Sequence, residues 1–452
     1  MKFNFENFGH VNKGSLELAD LTLICGPNNV GKTYVSYAIY GFLRHFKRLV
    51  DLSLTSEQIN ILKNEGSLSI DLQQYNDCLS DYMGSASIKY SQTLSDYFNA
   101  PVDFFDKAKI NFSHDDFSID LTREFKHTTK FGQSEILLFD KAPDETMLSI
   151  ALQVTGKSKL PNRILEDVLG NVISECLFIG TLPKPFVVTS ERTGIALFYK
   201  ELDINKNSIL DHLYDVDKAD PIGLLNSMRS RYAQPIQDNI DVVRDYDNLC
   251  KRKSFIRENS KTYKPVLDAL YYLLGGKFKA VDKQVLYVPQ KEQNRENVVV
   301  PVYLASSAIK SLFLIDLYIN CLAPREGLLI IDEPELNLHP DNQRKMASLL
   351  ARLVNSGIKI MLTTHSDYLV REFNNRIMLN NEIHNKATLM KNENIVSQDI
   401  LRPDQVKAFS FKKDHSIKEV MVDRHGINME IFDDLIADAN ELADSIYYSI
   451  KD

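Results

Sequence analysis

A glycine-rich loop near the start of the chain has the residue types needed to hold a chain of phosphates. The stretch GPNNVGKT follows the apolar run LTLIC and precedes TYVSYAIYGF, whose apolar residues recur at helical spacing. Glycines let the backbone wrap closely around phosphates, and the next helix offers its positive N-terminus. Lys32 is predicted to reach the β and γ phosphates, and Thr33 to coordinate Mg2+. The residues assigned to this nucleotide-binding loop are Gly26, Pro27, Asn28, Asn29, Val30, Gly31, Lys32, Thr33 and the adjoining Tyr34.

A second apolar run, GLLIIDE at 327–333, ends in two adjacent acids. A parallel sheet presents its ligands at the C-terminal edge of its strands, so Asp332 is predicted to hold Mg2+ through water. Glu333 is predicted to orient and activate the attacking water. The alternative, two solvated acids at a strand end, fits poorly beside a phosphate loop. Because Lys32 and Asp332 lie 300 positions apart, a large insertion must separate them.

Two more groups flank the acidic strand. Upstream, ASSAIKSL begins a helix with serines suited either to plain capping or to contact with a γ-phosphate. Because the chain's own loop already binds a nucleotide, this helix is predicted to serve the nucleotide of a neighbouring copy. Downstream, His365 follows the strand at 357–364 and is predicted to touch the γ-phosphate or the catalytic water, the alternative being a structural histidine. The helix residues assigned to the nucleotide site are Ser306, Ser307 and Lys310.

The elements that must position these groups alternate between strands and helices. From residue 284 onward, apolar strands alternate with amphipathic helices, which is typical of a parallel α/β sheet. Residues 51–180 mix helices and strands without motif chemistry and are interpreted as an insertion. Residues 205–276 are predicted to be mostly helical, without the sustained heptads of a long coiled coil.

Composition limits the class of protein. At 452 residues the chain has room for two or three domains, or for one core with large insertions. A formal net charge of -8 argues against a generally positive surface, so any DNA site must be local. Five cysteines without a CxxC pair predict reduced thiols and no zinc site. No membrane span or signal segment is recognisable, so we predict a cytoplasmic protein without membrane contact.

The phosphate loop, the serine-capped helix, IIDEPE and TTH follow one another in an order that resembles the ABC-type ATPase heads of the SMC, RecF and OLD groups. The resemblance covers roughly 1–50 and 284–375, and is weaker around TSERTG at 189–194. GPNNVGKT and DEPELNLHP are most similar to the OLD-like ATPases of bacterial antiphage systems such as Septu and PARIS.

This resemblance implies an α/β fold, a P-loop NTPase of the ABC-ATPase head type with a mainly parallel sheet, large helical and mixed insertions, and a small C-terminal α+β extension. The predicted parts are an N-terminal lobe of the head at 1–50, a mixed insertion at 51–180, a return to the core at 181–204, a helical insertion at 205–283, a C-terminal lobe at 284–375 and the extension at 376–452.

The resemblance also implies a function. ATP and Mg2+ would be the cofactors, and a homodimer or higher homo-oligomer would sandwich two ATP molecules between phosphate loops and signature helices. Asn337, in ELNLHP, would lie in the loop along the dimer contact. Hydrolysis would open the interface and report to a separately encoded effector, a nuclease or toxin, in antiphage defence.

The chain departs from the family pattern at three points. Ala308 replaces the usual signature glycine, which predicts slow hydrolysis. No glutamine is identifiable as the Q-loop residue. The stretch after the histidine strand is too short for the Toprim nuclease domain of OLD proteins, so we expect no nuclease activity from this chain alone.

Two alternatives remain open. The first is a RecF-like clamp that holds DNA in repair or recombination, since KRKSFIRENSKTYK at 251–264 is rich in basic residues. Its DNA-contacting candidates are Lys251, Arg252, Lys253 and Arg257, although a solvated helix face explains them equally simply. The second concerns the acidic helix MEIFDDLIADANELADSIYYSI, interpreted as packing one side on the core, or otherwise as docking a basic partner.

Overall fold

The structure is a computed structural model that describes residues 1–50, 52, 54–113, 119–131, 135–154, 161–199, 232–282, 284–290, 299–428 and 440–450. Several predicted parts lie partly outside these ranges. The largest gaps affect the helical insertion at 205–283, of which 205–231 lies outside, and the acidic C-terminal helix, of which 429–439 lies outside.

A six-stranded sheet lies at the centre and carries both motif strands. Its strands consist of short apolar runs, as expected for a parallel sheet that is covered on both faces. The six residues of GLLIID and the five of LTLIC are all buried. In spatial order the parallel strands are β15 (Val406–Phe411), β3 (Leu21–Cys25), β14 (Lys359–Thr364), β13 (Gly327–Asp332) and β9 (Lys184–Val188), and β16 (Ile417–Val420) pairs antiparallel with β15 at one edge.

The two faces of this sheet belong to different hydrophobic clusters. Leu328 and Ile330 pack with helix α1 on one face, whereas Leu329 and Ile331 pack with helices of the opposite layer. This alternation follows from the two-residue period of a strand. The predicted α/β P-loop NTPase fold with a mainly parallel sheet is thus confirmed. The covering helices are α1 (Lys32–Leu49) and α6 (Asn162–Phe178) on the first face, and α12 (Ser307–Leu317), α13 (Pro340–Val354) and α14 (Asp367–Met378) on the second.

The first insertion shares its core with the N-terminal lobe. Its strand β5 pairs with β1, and its helix α4 packs on α1 within one hydrophobic cluster. The sheets here are antiparallel, with orders β2-β1-β5 and β4-β8-β7-β6. The elements are β1 (Lys2–Phe8), β2 (Val11–Glu17), β4 (Ser67–Asp71), β5 (Lys109–Ser113), β6 (Phe125–Phe131), β7 (Glu135–Lys141), β8 (Met147–Val154), α2 (Ser56–Glu65), α3 (Gln73–Asp77), α4 (Leu79–Gln92) and α5 (Leu94–Phe98).

The described part of the second insertion consists of helices followed by one strand, and its helices pack on the second face of the central sheet. The strand, β10, pairs with β11 in a small antiparallel sheet of order β10-β11-β12. None of the described helices is long and apolar enough to span a membrane. The elements of this insertion are α8 (Gln234–Arg244), α9 (Tyr246–Leu249), α10 (Phe255–Glu258), α11 (Lys264–Leu274) and β10 (Gly276–Val281). Helix α7 (Arg192–Phe198) precedes it, and β11 (Gln284–Pro289) and β12 (Val300–Pro301) follow it.

The stretch assigned to a C-terminal extension supplies part of the central sheet. Strand β15 pairs in parallel with β3, the strand that leads into the phosphate loop. Its neighbour β16 extends the sheet by one antiparallel strand. The remaining elements of this stretch are α15 (Lys386–Asn392) and a hairpin of β17 (Val422–Asp423) and β18 (Gly426–Ile427).

Helix α12 carries a buried carboxyl group that no motif indicated. Asp316 is 7% exposed, and its Oδ1 accepts a hydrogen bond from Asn320 Nδ2 at 2.9 Å. Burial raises the pKa of Asp316 to about 7, while the positive charge of Arg257 and the bond from Asn320 act in the opposite direction. The folded chain therefore favours the protonated form of this carboxyl.

This shift predicts a pH dependence of stability. An unfolded aspartate titrates near pH 4, so the stabilisation from the neutral carboxyl is complete below that pH and is lost as the pH rises through about 7. Asp316→Asn removes this titration and is expected to stabilise the chain at pH 8 by on the order of 3 kcal/mol, with little effect near pH 4. Unfolding midpoints of both proteins at several pH values test this, and equal pH dependence would contradict it.

Candidate functional site

The phosphate loop connects β3 to α1 through backbone conformations that glycine favours. Gly26 has φ 148° and Gly31 has φ 99°. A Cβ atom at Gly26 would lie 2.6 Å from the Phe411 carbonyl oxygen, and one at Gly31 would lie 3.0 Å from Val11 Cγ2. The two glycines are therefore needed both for the turn and for its close packing against neighbouring strands.

Lys32, the first residue of α1, is a buried cation inside this loop. Its Nζ donates hydrogen bonds to the carbonyl oxygens of Gly26 at 2.9 Å and Pro27 at 2.7 Å. Burial lowers the pKa of Lys32, and the nearby carboxylates of Glu333 and Asp332 oppose that effect. A desolvated ammonium at a helix N-terminus is a good fit for phosphate oxygens, because they would restore the charge-assisted contacts that water no longer makes.

Thr33 and Asp332 meet although 299 positions separate them. The Thr33 hydroxyl donates to Asp332 Oδ2 at 3.0 Å, and the Thr363 hydroxyl donates to Asp332 Oδ1. Asp332 is 1% exposed, and burial raises its pKa to about 6 against these two hydrogen bonds. A hydroxyl and a carboxylate side by side suit Mg2+, which takes one or two protein oxygens and completes its shell with water and substrate phosphates.

Glu333 lies at the turn that follows the acidic strand. It has φ 52°, and its N–H donates to the Thr363 carbonyl at 3.2 Å and to Thr363 Oγ1 at 3.1 Å. Its side chain keeps a quarter of its surface exposed and reaches within 3.4 Å of His365 Nδ1. A water-accessible carboxylate beside the metal-suited pair has the position required of a general base.

His365 is held in place by a residue to which the motifs gave no role. Glu335 is 5% exposed and accepts hydrogen bonds from Thr364 Oγ1 at 2.7 Å and from the His365 N–H at 2.9 Å. The His365 ring itself is half exposed, with Nδ1 3.6 Å from Glu335 Oε1. The structure thus places His365 beside Glu333, and Glu335 anchors the turn that carries it.

The predicted signature helix is α12. Ser306 is its N-cap, and its Oγ accepts a hydrogen bond from the Ile309 N–H at 3.3 Å. This contact corresponds to the plain capping role of the serine. Ser307 is exposed at the helix start, and Lys310 Nζ donates to the Tyr303 carbonyl at 3.4 Å. The hydrogen bonds of Ser306 and Lys310 therefore remain within residues 303–310 and do not involve the chain's own phosphate loop.

Asn337 lies in a tight turn between β13 and α13. It has φ 62°, and its Nδ2 donates to Thr193 Oγ1 at 3.1 Å. His339 caps α13, because its Nδ1 accepts from the Asp341 N–H at 3.3 Å. The loop predicted to run along a dimer contact is thus tied to α7.

Four residues at the site had no assigned role in the sequence. Two of them, Glu191 and Arg192, lie in the TSERTG stretch whose weak family similarity was the available signal. The Glu191 carboxylate accepts from the Tyr37 hydroxyl at 3.2 Å and contributes to the raised pKa of Asp332. The other two, Thr363 and Glu335, lie within TTH and DEPE. Their supporting roles follow from their hydrogen bonds in the structure and not from the motifs.

Comparison with known proteins identifies a family for this chain and finds solved structures with weak similarity to it. The family model described as AAA ATPase domain matches residues 1–370. No curated protein matches the chain. The Smc head domain of Pyrococcus furiosus, solved with an extended coiled coil and bound to the C-terminal domain of ScpA, has 12% identity over 99% of this chain and 98% of that chain, with a TM-score of 0.32. The SMC head domain from Thermotoga maritima has 10% identity over 93% and 98% of the two chains, with a TM-score of 0.30.

Proposed function

The chain belongs to the AAA ATPase domain family, and from that premise we propose that it binds and hydrolyses ATP as a dimeric molecular switch. The observation that carries the proposal is the 3.0 Å hydrogen bond between Thr33 of the phosphate loop and Asp332 of the acidic strand. It brings together two motifs that lie 299 positions apart in the sequence, which supports a single site for phosphate and metal.

Different residues of the site would have different roles in hydrolysis. Lys32 and the loop N–H groups would hold the phosphates, and Thr33 and Asp332 would hold Mg2+. Bound MgATP supplies the phosphoryl group and neutralises its charge. Glu333 would orient the attacking water and accept its proton, with His365 alongside. Positioning and charge are what phosphoryl transfer requires of a protein, and these residues supply both.

Support for a dimer comes from the signature helix. Its N-terminus, where an anion is favoured, lies next to exposed apolar surface, since Leu304 is 66% exposed and Tyr303 is 38% exposed. A second copy placed with its phosphate loop against this helix would supply the phosphate for the helix end and cover Leu304. Asn337 would lie along the same contact.

The cellular role that we propose is control of a separately encoded nuclease or toxin in cytoplasmic antiphage defence. The support is the similarity of GPNNVGKT and DEPELNLHP to OLD-like defence ATPases. A genome neighbourhood that pairs this chain with such an effector supports the role, and purification of an active complex of the two proteins tests it directly.

The test of the switch is hydrolysis together with self-association of the purified chain. We expect phosphate release that depends on Mg2+, and a shift in mass from one chain to two in ATP but not in ADP, measured by light scattering after size exclusion. A chain that binds ATP yet stays monomeric at all concentrations would refute the dimer. A chain that does not bind ATP would refute the whole proposal.

DNA contact is the second candidate, favoured by the exposure of Lys251, Arg252 and Lys253. Lys251 and Lys279 line one groove of about 500 Å3, together with the acids Asp247 and Asp282. Arg257 fits less well, because it is partly buried and its charge acts on Asp316. Salt-dependent DNA binding that is lost when these three exposed residues are changed to alanine would support this candidate.

A further inference from the structure

Arg192 is the largest fully buried side chain among the described residues, with 1% exposure. It is the first residue of α7 and follows the turn that ends β9. Burial lowers the pKa of Arg192, and the carboxylates of Asp332, Glu335 and Glu333 oppose that effect. A buried guanidinium is costly unless its N–H groups are hydrogen-bonded, so its partners show what this position requires.

Its partners are four main-chain carbonyl oxygens from three parts of the site. Nε donates to Ser311 O on the signature helix at 3.1 Å. Nη1 donates to Thr189 O at 3.1 Å and to Asp332 O at 2.7 Å. Nη2 donates to Glu333 O at 2.6 Å. One rigid, planar group thus connects the end of β9, the end of the acidic strand and α12.

These bonds fix the backbone on both sides of Glu333. Its N–H is held by Thr363, and its carbonyl oxygen is held by Arg192. The residue also has φ 52°, a conformation that non-glycine residues rarely adopt and that surrounding contacts must maintain. The placement of the Glu333 carboxylate therefore depends on Arg192.

The same guanidinium depends on the signature helix. Ser311 lies one turn inside α12, and its hydroxyl is bonded within that helix to Ala308 O at 2.8 Å. A helix shift of about 1 Å would stretch the bond from Arg192 beyond hydrogen-bonding range unless the guanidinium moved with the helix. Movement of the guanidinium would in turn displace the carbonyl oxygens of Asp332 and Glu333.

We propose that Arg192 is a positioning residue that ties the signature helix to Glu333, so that the carboxylate is correctly placed only while α12 holds its position. The inference rests on the proposed ATPase function and adds a means of regulation within one chain. Contact of α12 with a partner copy's nucleotide would be transmitted through Arg192 to the base of the helix's own chain. The two composite sites of a dimer would then be coupled.

The variant Arg192→Lys keeps the charge and removes the planar fork. We expect kcat for ATP to fall about 10- to 100-fold and KM to change less than about threefold, as for a displaced catalytic group. Arg376→Lys is the matched control, because Arg376 is also buried, on α14, where it bonds Glu372 and Ser348. This control is expected to lose stability but to keep the kcat of the wild type.

A double variant separates positioning from general damage. If Arg192 acts through Glu333, Arg192→Lys leaves the residual rate of Glu333→Gln unchanged, because the group it places is already gone. A further fall in the double variant, or an unchanged kcat in Arg192→Lys alone, would overturn the inference. Both results presuppose an active wild type, so a wild-type chain without hydrolysis would instead overturn the proposed function.

Hydrogen exchange of the unmodified chain provides a measurement that does not depend on the folding of a variant. Addition of ATP is expected to increase protection of residues 306–317 and of 332–336 together and with the same concentration dependence. Protection of one segment without the other would show that no tie operates between them.

Discussion

Replacing Glu333 with glutamine is expected to lower the rate of ATP hydrolysis by at least about 100-fold while ATP affinity stays within about threefold of the wild type. The carboxylate lies at the exposed edge of the sheet, next to His365 and one residue after the metal-suited Asp332. An amide of the same size keeps the hydrogen bonds of the Glu333 backbone but cannot accept a proton from water. The loss should therefore fall on kcat.

Single-turnover phosphate release and equilibrium binding of a fluorescent ATP analogue measure the two quantities separately. Glu393→Gln is the matched control, because Glu393 is an exposed acid that lies beside Arg344 of helix α13 and makes no described contact with the motif residues. Its rate should equal that of the wild type. Retention of more than a third of the wild-type rate in Glu333→Gln would exclude this residue as the base.

Replacing Lys32 with alanine is expected to weaken ATP binding by at least about 100-fold, since it removes a charge-assisted contact from a desolvated site. The Lys32 ammonium donates hydrogen bonds to two loop carbonyls, which hold it inside the loop that is predicted to bind the phosphates. The charge is already desolvated by the fold, which makes its contribution larger than that of a surface lysine.

Thermal unfolding with and without MgATP provides the measurement. The wild type should gain stability as ligand is added, whereas Lys32→Ala should not. Lys391→Ala, which removes an exposed lysine on α15, serves as the control and should respond as the wild type does. An equal ligand-induced shift in Lys32→Ala would show that ATP binds elsewhere.

Local patterns predicted the central elements well. A short apolar run such as GLLIID is typical of a strand in a sheet that is covered on both faces, and GPNNVGKT between a strand and a helix has one common geometry. Strand β15 lies within the stretch predicted to form a C-terminal extension, but it pairs with β3, which is a contact of long sequence separation. The hydrophobic periodicity of a single sequence does not indicate which distant strands pair with each other.

The sequence predicted the motif residues of the site, but it did not indicate the hydrogen bonds that support them. Lys32, Thr33, Asp332, Glu333 and His365 lie at one edge of the sheet, as expected from the strand ends that carry them. The buried Arg192 could not be inferred, because an arginine in TSERTG is most simply a surface residue. Its role depends on hydrogen bonds to four main-chain carbonyl groups. Every residue type has such a group, so the sequence does not indicate these contacts.

Each proposed ATP site combines the phosphate loop of one chain with the signature helix of another, and mixing two inactive variants tests this arrangement. Lys32→Ala disables the loop, and Ser307→Arg places a bulky charge at the exposed start of α12. Each variant alone should be inactive. A mixed dimer would contain one intact site, built from the loop of the Ser307→Arg chain and the helix of the Lys32→Ala chain.

An equimolar mixture that exchanges subunits should therefore be more active than either variant alone. About a quarter of the wild-type hydrolysis rate is the upper limit, because half of its dimers are mixed, each has one of two sites intact, and coupling through Arg192 lowers the rate of that site. Exchange is verified with differently labelled chains, and phosphate release is followed in the same sample. A mixture that exchanges but is no more active than the two variants assayed apart would contradict the composite site.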